Sequence, residues 1–178
     1  DYSLGVSSWE SFLREYYMGK RWVVTQKINL DSVQTAKLFV LLDENLKPEN
    51  INYRYDFFYD DCSTRIRDLL EKSIGDDLDY PPDISSNDLP TFRDLISKYE
   101  KGYVWRRAGI DLLIGSGGDK KASFRDRMFL PVEMKDGLSQ TNIKRAGRMI
   151  PLLTNPALVL DFEPPVVKTN MLTGPFFI

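Results

Sequence analysis

The 178-residue chain contains no histidine and a single cysteine, Cys62. The first absence removes the imidazole that most often serves as a general base or metal ligand near neutral pH. The second excludes an internal disulfide framework and leaves no Cys/His spacing for a metal centre, so neither a metal nor a cofactor is expected. Charge of one sign is missing too. Acidic residues number 26 and basic ones 24, for a net charge of −2. Nucleic acid is therefore not an expected partner, because binding it needs a strong positive field. No apolar run approaches the roughly 20 residues of a spanning helix, and no signal-peptide pattern is present. Against these gaps stand 42% hydrophobic and 12% aromatic residues. That content supports one moderate core, and residues 1–178 read as a single domain.

The chemistry-bearing stretch is Tyr53 to Leu70, YRYDFFYDDCSTRIRDLL. From Ile51 the alternate residues Tyr53, Tyr55, Phe57 and Tyr59 are aromatic, and the residues between them are mostly polar. Period two predicts a half-buried strand over 51–59. After Cys62 the apolar positions Ile66, Leu69, Leu70 and Ile74 recur at helical spacing, and Gly75 supplies a stop. Asp60 and Asp61 precede this helix as caps, which puts Cys62 in its first turn on the face of Ile66 and Leu69. Helix-terminal N–H groups there favour a thiolate and suit an oxyanion, while the two aspartates oppose the thiolate. Two readings of Cys62 follow. A single free cysteine is ordinarily a small buried hydrophobe; at a helix start it is also a candidate nucleophile.

The segment YDFFYDDCSTRIRDLL resembles the cysteine motif of the Lnb-type periplasmic domain, a bacterial lipoprotein N-acyltransferase family. The likeness extends to FLREYYMGKRWVVTQKINLDS near the start and to AGIDLLIGSGGDKKASFRDRMFLP further on. It implies an α+β, circularly permuted papain/NlpC-like fold, with the cysteine helix packed on a small, mostly antiparallel sheet. It also implies Cys62 as nucleophile, supported by Asp61, Ser63 and Arg65. A phospholipid would be the acyl donor and a lipoprotein the acceptor, in the periplasm and tethered to the inner membrane by segments outside this chain. Two departures stand out. The family's histidine lies upstream of Asp1, so the resemblance implies that these residues are a portion of a longer domain. Asp61 occupies a position where the family pattern has asparagine.

Elsewhere the pattern predicts a helix from a Ser7–Glu10 capping box to Met18, and strand composition over Arg21–Leu30. A second helix, capped by Asp31, runs through Leu46 and buries Val33, Ala36, Phe39, Val40 and Leu46. Residues 75–90 read as loop. Short helices are predicted over Thr91–Lys101, Tyr103–Ile114 and Ser123–Leu130, the last stopped by Pro131. A hairpin turning at Ala146-Gly147 spans Asn142–Leu153.

Other constellations read as structural. Gly115-Ser-Gly-Gly-Asp119 lacks the phosphate-loop spacing and reads as a helix cap and turn. Asp56, Asp60, Asp61 and Asp68 lie among Arg54, Arg65 and Arg67, which suggests ion pairs and capping; Arg65 is also within reach of a substrate phosphate or carboxylate. The basic clusters Trp105-Arg106-Arg107 and Lys144-Arg145 with Arg148 read as solvated faces, with anionic lipid headgroups as the alternative. For the whole chain the alternatives to acyl transfer are a non-catalytic periplasmic scaffold and a thiol peptidase or amidase.

Overall fold

The structure, a computed structural model, describes residues 2–100 and 104–162. Among the described residues, six helices and seven short strands form an α+β fold in which every strand pairing is antiparallel. The described chain divides into two compact units: one built from residues 2–81 and 128–162, the other from 82–127.

The first unit begins with β1 (Tyr2–Ser3), which pairs with β3 (Asn52–Tyr53). Helix α1 (Trp9–Met18) starts at Ser8, whose hydroxyl accepts from the Ser11 N–H. The cap is thus one residue beyond the expected Ser7. Strand β2 (Val23–Thr25) pairs with the distant β7 (Ala157–Leu160), and only this part of the predicted 21–30 strand is regular. Helix α2 (Ser32–Asn45) carries the expected Asp31 cap, completed reciprocally by Gln34. Its buried side is not the expected one. Val33, Phe39 and Val40 are exposed, as is Ala36, whereas Leu38, Leu41, Leu42 and Asn45 are half-buried. The helix is apolar around most of its circumference, so periodicity does not select a face.

The aromatic stretch also departs from expectation. Only Asn52–Tyr53 is strand; Asp56 and Asp60 then exchange two backbone hydrogen bonds of 3.0 Å across a tight turn. The Asp56 carboxylate accepts from the N–H groups of Phe58 and Tyr59, a local alternative that competes with a sheet ladder. Phe57 and Phe58 are turned onto the buried Phe129, with centroids 5.8 and 5.6 Å away.

Helix α3 (Cys62–Ile74) ends at Gly75, whose φ of 72° suits a residue without Cβ. It packs chiefly on α2 and more lightly on α6 (Pro131–Gln140), so its main support is a helix and not the expected sheet. Within residues 75–90, read as loop, β4 (Leu78–Asp79) adds to the hairpin of β5 (Asn142–Arg145) and β6 (Arg148–Pro151). The hairpin turns at Ala146 and Gly147, with φ of 49° and 76°, as a two-residue connection requires. Pro131 opens α6 where a helix stop was expected: its missing N–H costs nothing at the first helical position. The expected helix before it reduces to a 3₁₀ turn over Asp126–Phe129. Leu70, Ile74, Met128, Phe129, Leu138, Ile143 and Leu152 are the main buried apolar residues of this unit.

The second unit holds α4 (Phe92–Ser97), capped by Thr91 with a reciprocal Asp94 contact, and α5 (Val104–Ile114). Residues 115–119 form a 3₁₀ turn, in agreement with the structural reading of the glycines. Expected helix ends at Lys101 and Tyr103, and the apolar stretch at 174–178, lie outside the described residues.

Candidate active site at the start of helix α3

Cys62 is the first residue of α3, and its position follows from the residue before it. Asp61 is extended at φ −118° and 3% exposed. Its Oδ1 accepts from the N–H groups of Ser63 and Thr64, both at 2.8 Å, and the Thr64 hydroxyl accepts from the Asp61 N–H. Burial is the leading effect on this carboxyl and pushes its pKa up, against the hydrogen bonds and Arg67, which lower it. Ser63 and Thr64 are buried within the cap. The Cys62 side chain, in contrast, is exposed, with Sγ 4.0 Å from the Ser63 Oγ.

The thiol lines a cavity of about 290 Å³ whose walls include Leu4, Leu42, Tyr53, Arg65, Ile66 and Leu69. The predicted face of Cys62, Ile66 and Leu69 is therefore assembled, with α2 and the start of the chain closing it. Of the four expected site residues, Cys62 and Arg65 reach the cavity. Asp61 and Ser63 serve the helix cap. Arg65 is held from two sides: Asp60 accepts from its Nε at 2.6 Å and its Nη2 at 3.1 Å, and its guanidinium lies 3.6 Å from the centroid of the Tyr53 ring. Arg67 is buried and pairs with Asp68 at 2.7 Å. The acidic residues here cap and pair as the sequence suggested, and among the described residues no acidic cluster has the geometry of a metal site.

Two further consequences bear on chemistry. The N–H groups of Ser63 and Thr64 are engaged by Asp61, so the helix start offers an incoming oxyanion fewer amides than its position suggests. Tyr53 and Tyr55 have phenols raised above their ordinary value, first by burial. Both therefore stay protonated at neutral pH and act as donors, not bases. A second cavity of about 530 Å³ shares Asn45, Arg65 and Leu69 with the first and is lined by Glu44, Asp60, Asp68 and Lys72. Leu42, Asn45 and Tyr53 had not been singled out for the site. The sequence carried no signal for the α2 wall, because that helix is apolar around most of its circumference.

The geometry is that of an α+β unit with an exposed thiol on the first turn of a capped helix, facing a mostly apolar cavity. The chain belongs to the Lnb N-terminal periplasmic domain family, whose model matches residues 1–98. That match takes in every residue lining the Cys62 cavity. No curated protein and no solved structure matches the chain. The family is one of periplasmic domains, and among the described residues no helix is long and apolar enough to cross a membrane.

Proposed function

We propose that this chain carries the nucleophile of acyl transfer to the N-terminus of bacterial lipoproteins, in a permuted papain/NlpC-like arrangement tethered to the inner membrane by segments outside it. The observation that carries this reading is the exposed Cys62 thiol on a cavity walled by Leu4, Leu42, Ile66 and Leu69. Such walls accept a hydrocarbon chain. The sulfur attacks an ester carbonyl of a phospholipid; the C–O bond breaks and the glycerol oxygen leaves as the protonated alcohol. The acyl thioester on Cys62 is then attacked by the lipoprotein's terminal amine, the C–S bond breaks, and the amide forms as the thiol is regenerated. Dividing one difficult transfer into two easier ones is the contribution of a covalent nucleophile. The proton acceptor in this reading is an imidazole supplied from outside these 178 residues, which contain no histidine.

A non-catalytic scaffold is the second reading. It is favoured by the engagement of the Ser63 and Thr64 N–H groups by Asp61.

Cys62→Ser separates the two. In cells carrying the full-length protein at matched levels, the serine variant abolishes N-acylation of a reporter lipoprotein while remaining folded, because the substituted side chain is exposed and nearly isosteric. Acylation at the original rate would assign Cys62 a structural role and leave the scaffold reading standing. The 178 residues alone form no acyl-thioester at a measurable rate; turnover by them would put the base among their own carboxylates, lysines or tyrosines.

A further inference from the structure

The thiol cavity does not end at its apolar walls. Cys62, Arg65, Leu69 and Lys72 follow along α3 at intervals that align them on one face. The run covers about 15 Å at 1.5 Å per residue. Helix α2, packed on α3, lines the same run with Leu41, Leu42, Glu44 and Asn45. Arg65, Leu69 and Asn45 border both the cavity of about 290 Å³ at Cys62 and the one of about 530 Å³ beyond it. The two are therefore sections of one groove within the first unit. The section at Cys62 is mostly apolar, and the outer one is edged by Glu44, Glu49, Asp60, Asp68 and Lys72.

Most of that outer charge is already matched. Asp60 accepts from Arg65, Asp68 pairs with Arg67, and Glu44 pairs with Lys47 and accepts from the Asn50 amide at 3.1 Å. Three groups are not. The side chains of Glu49 and Lys72 have no hydrogen bond or ion pair among the described residues, and the Arg65 Nη1 donates to none of them. The unused capacity thus has both signs, two cationic donors and one carboxylate. A simple anion would leave Glu49 unanswered, and a simple cation would leave Lys72 and the Arg65 Nη1. A ligand with a phosphate and an ammonium a few bonds apart answers all three. Lys72 also stands in the last turn of α3, where a cation complements the helix dipole; Glu49 lies beyond α2 and has no such role.

We propose that the outer section is the headgroup site of the acyl donor and selects a phospholipid with a primary-amine headgroup. The ester sits at Cys62 and the acyl chain against Leu4, Leu42 and Ile66. The phosphate is held by Lys72 and Arg65, and the ammonium by Glu49. This placement rests on Cys62 being the acyl carrier, whereas the headgroup preference is a matter of binding and needs no turnover. A choline headgroup has no N–H to give the carboxylate, and a glycerol headgroup has no cation.

The test is isothermal titration calorimetry of the whole chain with dihexanoyl phosphatidylethanolamine, phosphatidylcholine and phosphatidylglycerol below their micellar concentrations. Free phosphoethanolamine is the fourth probe. The ethanolamine lipid binds about fivefold more tightly than either other lipid, the size of one solvent-exposed ion pair. Glu49→Gln abolishes that preference. Lys72→Gln weakens all three lipids, and Lys72→Arg does not. Both side chains are exposed, so the circular dichroism spectrum is unchanged. Equal affinity for the three lipids overturns the proposal, as does a preference that survives Glu49→Gln. So does phosphoethanolamine binding as tightly as the lipid, which would detach the outer section from the thiol cavity. Because binding is read apart from turnover, acylation by Cys62→Ser would remove the thiol's role and leave the headgroup preference standing. A lost preference would remove the headgroup site and leave the thiol's role standing.

Discussion

Asp61 is asked to do two things that pull against each other. Its oxygen must accept from Ser63 and Thr64 to start α3, and it must do so while buried and charged. Because burial raises its pKa above the ordinary 3.8, the protonated form suits the folded state better. The associated stability is full below the ordinary value and is lost as pH rises through the raised one. Asp61→Asn keeps the acceptor without the charge, so its thermal midpoint equals that of the parent near pH 3 and exceeds it at pH 7. Asp61→Ala loses the acceptor and leaves two buried donors, at a cost of about 2 kcal/mol in denaturant titrations. This residue and Cys62 were legible beforehand because a helix cap is written in neighbouring positions. Tyr53 was not: its part in the site comes from the Arg65 guanidinium stacked on its ring, a contact that side-chain alternation does not encode.

At the scale of elements, the β5–β6 hairpin was readable, its turn to the residue and its end, Pro151, two residues short of the expected Leu153, since Ala146-Gly147 sits between two short alternating runs. Its turn carries a cost that the sequence does not advertise. Ala146 holds a φ of 49°, a left-handed conformation in which a Cβ is strained by roughly 1 kcal/mol. Ala146→Asn gives the Asn-Gly pair preferred in such turns and raises unfolding stability by about 0.5–1 kcal/mol, measured by urea titration; the side chain is exposed, so packing is untouched. Helices α2 and α6 were less legible for different reasons. The first has apolar residues on nearly all sides, so its inner face is chosen by α3. The second begins at Pro131, and proline marks a helix start as readily as a stop; only the extended Leu130 before it decides.

Across the whole molecule, the two units respond to acid in opposite senses at their best-defined carboxylates. In the second, Asp94 is held low chiefly by hydrogen bonds from Thr91, and Asp119 by its bond from Arg93. Their stabilisation is present above the ordinary carboxylate value and disappears as pH falls through the lowered ones. Asp61 in the first unit has the reverse dependence. Hydrogen-exchange protection therefore falls earlier in α4 than in α3 on titration from pH 6 to pH 2.5, after correction for intrinsic exchange. The order of synthesis adds a constraint of another kind. Every wall of the Cys62 cavity comes from residues 3–69, whereas β2 waits for a partner ending at Leu160. At about 5–20 residues per second, a ribosome leaves β2 without that partner for on the order of ten seconds. The Val23–Thr25 edge is therefore the later pairing to become possible, whereas the residues that line the thiol cavity are by then all synthesised.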